Sequence, residues 1–188
     1  MSKNTRFAAY RICINGILSA LFFALSLLSF EVAGVKVTFD ALPVVLAAIL
    51  FGPIDGFLVG FLGAFLEQMI HYGFTATTLL WVIPPALRGL CLGLFLLPLR
   101  KTAVFKNRKT AAFFYAAAIL AGIVTSIGNT VAFYIDSTLY GYYNYALVFG
   151  VFWWRILTGV AVSVLVCTVS LAIASALDKA GLAKKGRA

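Results

Sequence analysis

With 188 residues, 63% of them hydrophobic and 11% charged, and a mean hydropathy of +1.03, the chain is too apolar for an ordinary soluble domain, in which roughly a quarter of residues are charged. Its net charge of +9 does not point to nucleic acid, because the basic residues lie between and beyond apolar runs rather than along one amphipathic face. These features predict an all-α integral membrane protein, with residues 1–188 forming one compact bundle and no polar stretch long enough for a second domain.

Lys3, Arg6 and Arg11 precede the first apolar run, Ile12 to Phe30. It is longer than the ~7–15 apolar residues of a secretory signal and has no small-residue cleavage site, so it reads as helix 1. Gly16, Ala20 and Ala24 recur along it every four residues, a stripe that lets another helix approach closely, in the same bundle or in a partner. Glu31 to Ala41 is a loop able to form a short extended flap. Leu42 to Phe51 is then a short or tilted helix 2 that ends at Gly52-Pro53, with Pro43 tolerated in its first turn. Helix 3 runs from about Asp55 to Ile70, and its Gly56, Gly60, Gly63 and Glu67 share a face. His71, the only histidine, falls at the helix end as a loop residue rather than a metal ligand. Cys13, Cys91 and Cys167 lie in apolar runs without CxxC spacing and read as core fillers.

Thr77 to Pro98 is the most informative stretch. It is long enough to cross a bilayer, yet holds Arg88 near its middle and the pair Pro84-Pro85. Trp81, Pro84, Pro85 and Arg88 fall on one helical face, and the prolines supply no N–H to the carbonyls of Leu80 and Trp81. That face offers an aromatic plane, spare acceptors and a positive charge. Such groups suit a flat, anionic, hydrogen-bonding ligand, or more plainly a kink whose arginine pairs with Glu67. A basic connection with Arg100, Lys101, Lys106, Arg108 and Lys109 follows. Helix 5 then runs from about Thr110 to Tyr134, with Thr125, Asn129 and Ala132 on one side and Asp136 just beyond. Tyr140, Tyr142, Tyr143 and Tyr145 occupy the next connection as an interfacial belt or a stacking surface. Helix 6, about Ala146 to Leu177, contains Trp153-Trp154-Arg155.

Six transmembrane helices return both termini to one side. Twelve of the fifteen Lys and Arg residues lie in the N-terminus, the connection after helix 4 and the C-terminus, which makes those ends cytoplasmic. Arg88 and Arg155 then each lie roughly 13–16 Å below the outer ends of their helices. At that shared depth they face one missing anion, since an uncompensated arginine costs at least about 2.5 kcal/mol at the bilayer centre. The chain has no Walker loop, HExxH or GxSxG and no metal-ligand cluster. An enzyme, a metal site and a bound cofactor are therefore not expected, and binding or transport is.

The helix count, the cytoplasmic ends and the missing ATPase motif resemble the substrate-binding S component of an energy-coupling factor (ECF) vitamin transporter. The Ala20/Ala24 pair is similar to the AxxxA pattern by which such components dock. Leu42-Pro43, Ile49-Leu50-Phe51-Gly52-Pro53, the Gly-rich helix 3 and Leu79-Leu80-Trp81 followed by Pro84-Pro85-Ala86-Leu87-Arg88-Gly89-Leu90 resemble the folate-family members. The resemblance implies a plasma-membrane protein that captures folate from outside and delivers it through a coupling subunit and two ATPase subunits. Glu67, Trp81, Arg88, Asn129, Trp154 and Arg155 are the expected substrate contacts, and Gly16, Ala20 and Ala24 the docking stripe. Glu31 to Ala41 and Tyr72 to Thr77 are the expected gates. A riboflavin or thiamine S component and a stand-alone secondary transporter remain as alternatives.

Overall fold

A computed structural model describes residues 3–32, 35–99 and 108–179. Six helices follow one another: α1 (Lys3–Ser26), α2 (Ala41–Leu50), α3 (Pro53–His71), α4 (Thr78–Leu96), α5 (Arg108–Leu139) and α6 (Phe152–Lys179). A small antiparallel hairpin of β1 (Phe30–Val32) and β2 (Val35–Val37) joins α1 to α2, pairing Phe30 with Val37 and Val32 with Val35. The flap expected between Glu31 and Ala41 is this hairpin and the turn after it. A π-helical turn, Ala146–Gly150, leads into α6. The connection 100–107 and the tail 180–188, which hold six of the twelve basic residues used to orient the chain, lie outside the described residues.

Among the described residues five helices are long and apolar enough to cross a membrane. The sixth, α2, has ten residues. At about 1.5 Å per residue it covers about 15 Å, half of a ~30 Å hydrocarbon core. Helix 1 was expected over Ile12–Phe30, but it starts at Lys3 and stops at Ser26. Lys, Arg and Ala in its first turns favour helix, whereas the apolar residues after Ser26 turn and enter β1; hydropathy does not separate these states. Helix 5 extends past Tyr134 to Leu139, which places Asp136 inside it.

Apolar on every side, α2 is buried on every side: Ala41 and Pro43 through Ile49 are all buried. Its Ala41, Val45 and Ile49 pack with Leu92 and Leu96 of α4, Phe114, Ala117 and Ala121 of α5, and Val166, Cys167 and Ala174 of α6. Val44 and Ala47 pack in a second cluster with Leu18 and Phe22 of α1 and Val59 and Ala64 of α3. With the hairpin end taken as the top, the first cluster draws on the end of α4, the start of α5 and the last part of α6. The short helix therefore occupies the lower half of the bundle, and the space above Ala41 is left to other uses.

Close backbone approach holds α3 to α4. A Cβ at Gly89 would overlap the carbonyl of Gly56, and one at Gly60 would overlap the backbone of Pro85 and Ala86. Gly52, at φ 108°, makes the turn from α2 into α3 that an L side chain would strain, and Pro53 opens α3. At the lower end Asp55, 3% exposed, pairs with Arg11 and accepts from Asn15 Nδ2 at 2.7 Å, tying α1 to the first turn of α3. The opposite face of α1 carries Gly16, Ala20 and Ala24, all exposed, with open space around Gly16. The stripe therefore faces outward and not into this bundle. Cys167 is buried as a filler, but Cys13 is exposed on α1, because it lies beside the outward stripe.

Candidate functional site

Above α2 lies a cavity of about 670 Å³, within the usual range for small-molecule sites. One wall is the α5 face of Thr125, Asn129, Phe133 and Asp136, whose spacings of three and four residues keep them in line. The eleven steps from Thr125 to Asp136 make that wall about 16 Å tall. Trp81, Pro85 and Arg88 of α4 face it, Glu67 and Gln68 of α3 and Arg155 and Thr158 of α6 close the sides, and Asp40, Ala41 and Val44 form the floor. Five of the six expected substrate contacts, Glu67, Trp81, Arg88, Asn129 and Arg155, thus border one space. Trp154 is not among the lining residues. One residue's rotation, about 100°, separates it from Arg155 and turns it outward, 37% exposed. Pro84, expected beside Pro85, is buried and faces Gly128 of α5 instead.

At the floor, Arg88 Nε donates to Thr125 Oγ1 at 3.1 Å, while the Thr125 hydroxyl donates to the Ala121 carbonyl at 2.8 Å. Asp40, at the start of the short α2, borders the floor with Arg88, whereas Glu67, the expected partner of Arg88, borders the cavity near the top of α3.

Arg155 behaves differently. Its guanidinium carbon lies 4.9 Å from the centre of the Phe133 ring, within cation–π range, and its Nη1 is buried without a hydrogen-bond partner. The two arginines were expected to share a depth. Their side chains separate them: Arg88 reaches Thr125, and Arg155 climbs to Phe133, eight residues or about 12 Å further along α5. Long cationic side chains extend toward the more polar end of their surroundings, so Cα depth misplaces their charges.

The upper cavity is aromatic. Trp81 meets the Phe133 ring edge-on at 6.3 Å, and its Nε1 donates to Asp136 Oδ1 at 3.4 Å. Tyr142 donates its hydroxyl to Asp136 Oδ2. Burial, then that hydrogen bond and the Asp136 charge, push the Tyr142 hydroxyl up to about 12, so it stays a donor at neutral pH. The loop tyrosines divide: Tyr140 and Tyr142 line the cavity, whereas Tyr143 packs edge-on against Tyr134 at 5.5 Å and Tyr145 lies on Phe149 at 5.4 Å. Phe133, Asp40 and Tyr142 were absent from the expected contacts. The four-residue step from Asn129 marks Phe133 in the sequence, but no local signal places Asp40 in the cavity.

A polar floor holding Arg88 and Asp40 and an aromatic mouth inside a bundle of membrane-crossing helices define a membrane-embedded small-molecule binding protein. The family model described as the substrate-specific component of ECF transporters matches residues 11–170, and the chain belongs to that family. It is 32% identical over 133 residues to a UPF0397 protein of Streptococcus gordonii, with 67% of this chain and 70% of that protein covered. Its fold is similar to a solved S component of a bacterial ECF transporter, with a TM-score of 0.64 and 22% identity over 90% of this chain and 98% of the other. Such components are substrate-binding transport subunits rather than enzymes. Family membership implies a vitamin-type substrate and work with a coupling subunit and ATPases, in a multi-pass protein of the bacterial plasma membrane.

Proposed function

We propose that this S component captures folate. The observation that carries the reading is the combination in one cavity of two arginines, one with a buried unpartnered Nη1, and the carboxylates of Asp40, Glu67 and Asp136 beside Trp81 and Phe133. Folate has both complements: a flat pterin rich in N–H donors, and a tail of carboxylates that arginine binds in a fork. The tall, narrow wall of α5 suits an elongated molecule.

In this reading the hairpin end faces outward, both termini are cytoplasmic, and the hairpin with the Tyr72–Thr77 connection gates the mouth. The outward stripe of Gly16, Ala20 and Ala24 docks on the coupling subunit, which two ATPase subunits drive. Ala20→Trp or Ala24→Trp is then expected to abolish uptake in cells while leaving ligand binding by the isolated protein nearly unchanged.

Thermal melting of the detergent-solubilised protein with a panel of vitamins tests the substrate. Folate at a thousand times its dissociation constant should add about 4 kcal/mol to the folded state. The three carboxylates favour one second reading, a cationic vitamin such as thiamine. A shift with thiamine and none with folate would replace the first reading by the second. Substrate uptake by the chain alone in liposomes would instead support a self-sufficient transporter.

A further inference from the structure

Both arginines border the same cavity, yet their electrostatic settings differ. Arg88 is held at the floor by Thr125, and the carboxylate of Asp40 borders the same floor, so the three together form a nearly neutral set of donors and acceptors. Arg155 lies over the Phe133 ring with Nη1 buried and unpartnered. A nearly neutral set suits a neutral ring edge carrying both donors and acceptors, because an anion placed there would meet Asp40. A guanidinium with a buried, unpartnered N–H group gains most from a full negative charge.

We propose that the two arginines divide the ligand between them. Arg88 and Asp40 read the ring edge at the floor, and Arg155, about two helical turns higher, anchors the carboxylate. This assignment rests on the folate reading and adds its orientation: ring inward, tail toward the mouth. The carboxylate of Asp40 has two oxygens and about four lone-pair positions, so it can accept from a ring amine while keeping other contacts. The guanidinium of Arg88 keeps its terminal N–H groups for a ring carbonyl while Nε remains on Thr125. The aminobenzoyl arm of folate spans a gap of the required length, and the space between the two arginines is walled by Asn129 and Pro85.

The test compares folic acid with 6-hydroxymethylpterin, which has the ring and no carboxylate, by calorimetric titration of the purified full-length protein and its variants. Arg155→Gln should weaken folic acid by at least about 30-fold and change 6-hydroxymethylpterin by less than about threefold. Asp40→Asn and Arg88→Gln should weaken both ligands by similar factors, since both carry the ring. Arg155→Lys keeps the charge but loses the planar fork, and should fall between wild type and Arg155→Gln for folic acid alone. It also serves as the reading if Arg155→Gln does not fold. Equal losses of both ligands in the Arg155 variants would overturn the division, as would a selective loss of folic acid in Arg88→Gln. No binding of folic acid by the wild-type protein would instead remove the folate reading itself, and this assignment with it.

Discussion

The lower and upper halves of this bundle are built from the same long helices and have opposite characters. Below Ala41 the ten residues of α2 fill the centre, and α4, α5 and α6 close on them through Leu92, Phe114, Ala117 and Val166, all fully or almost fully buried. Above Ala41 there is no central helix among the described residues, and the same three helices turn Trp81, Arg88, Asn129, Phe133 and Arg155 toward the cavity. Polar side chains are too costly to place against hydrocarbon, so they collect where the central helix stops. The length of one short helix decides where this protein is a core and where it is a container.

The sharpest way to break the lower half is at the α3–α4 contact, where Gly89→Val would drive two methyl groups into the Gly56 carbonyl. Overpacking against backbone is expected to cost about 3 kcal/mol or more, seen as loss of a monodisperse peak and a collapsed melting transition in detergent. A variant that melts like wild type would show that backbone contact does not hold this half together.

Asp55→Leu is the next largest. It removes the carboxylate shared by Arg11 and Asn15, and because Arg11 is about one-third exposed the cost should stay near 1–2 kcal/mol rather than the 3–5 kcal/mol of a fully buried pair. Adding Arg11→Met should recover part of it. Ligand affinity should not change, since this cluster lies at the end of the bundle away from the cavity; a fall in affinity would mean that the two halves are coupled.

In the upper half, Thr125→Val keeps the shape of the floor and removes the acceptor for Arg88 Nε. Affinity should drop by about 1–2 kcal/mol with little change in melting temperature. An unchanged affinity would show that Arg88 is positioned without Thr125. The smallest effect is expected at the mouth, where Tyr142→Phe removes the donor to Asp136 and should speed ligand release by about threefold in stopped-flow traces. Its pH signature has a definite sign. The hydroxyl is raised from about 10 in the unfolded chain to about 12 in the folded one, so its contribution is complete below pH ~10 and disappears as the pH rises toward 12. The melting-temperature difference between wild type and Tyr142→Phe should therefore shrink between pH 9 and pH 11.5, and a constant difference would contradict the hydrogen bond.

Local pattern was enough for much of this protein. Apolar runs of about twenty residues carry the membrane helices, because the bilayer sets their length. Arginine and proline inside Thr77 to Pro98 mark a polar interior, because nothing else makes them tolerable there, and the repeating spacing of Thr125, Asn129 and Asp136 marks one wall. Other features belong to the tertiary structure alone. Helical spacing made Gly16, Ala20 and Ala24 a contact stripe but left open which side of α1 it would face; packing of Leu18 and Phe22 into the bundle turned it outward. Counting residues put Arg88 and Arg155 at one depth, but Thr125 and the ring of Phe133 hold their charges against different levels of α5. Asp55 meets Arg11 across 44 residues of sequence, and Asp40 and Arg88, 48 residues apart, border one cavity floor. Such pairings follow from how deeply each helix sits beside its neighbours, a property of the whole packed bundle that no single segment encodes.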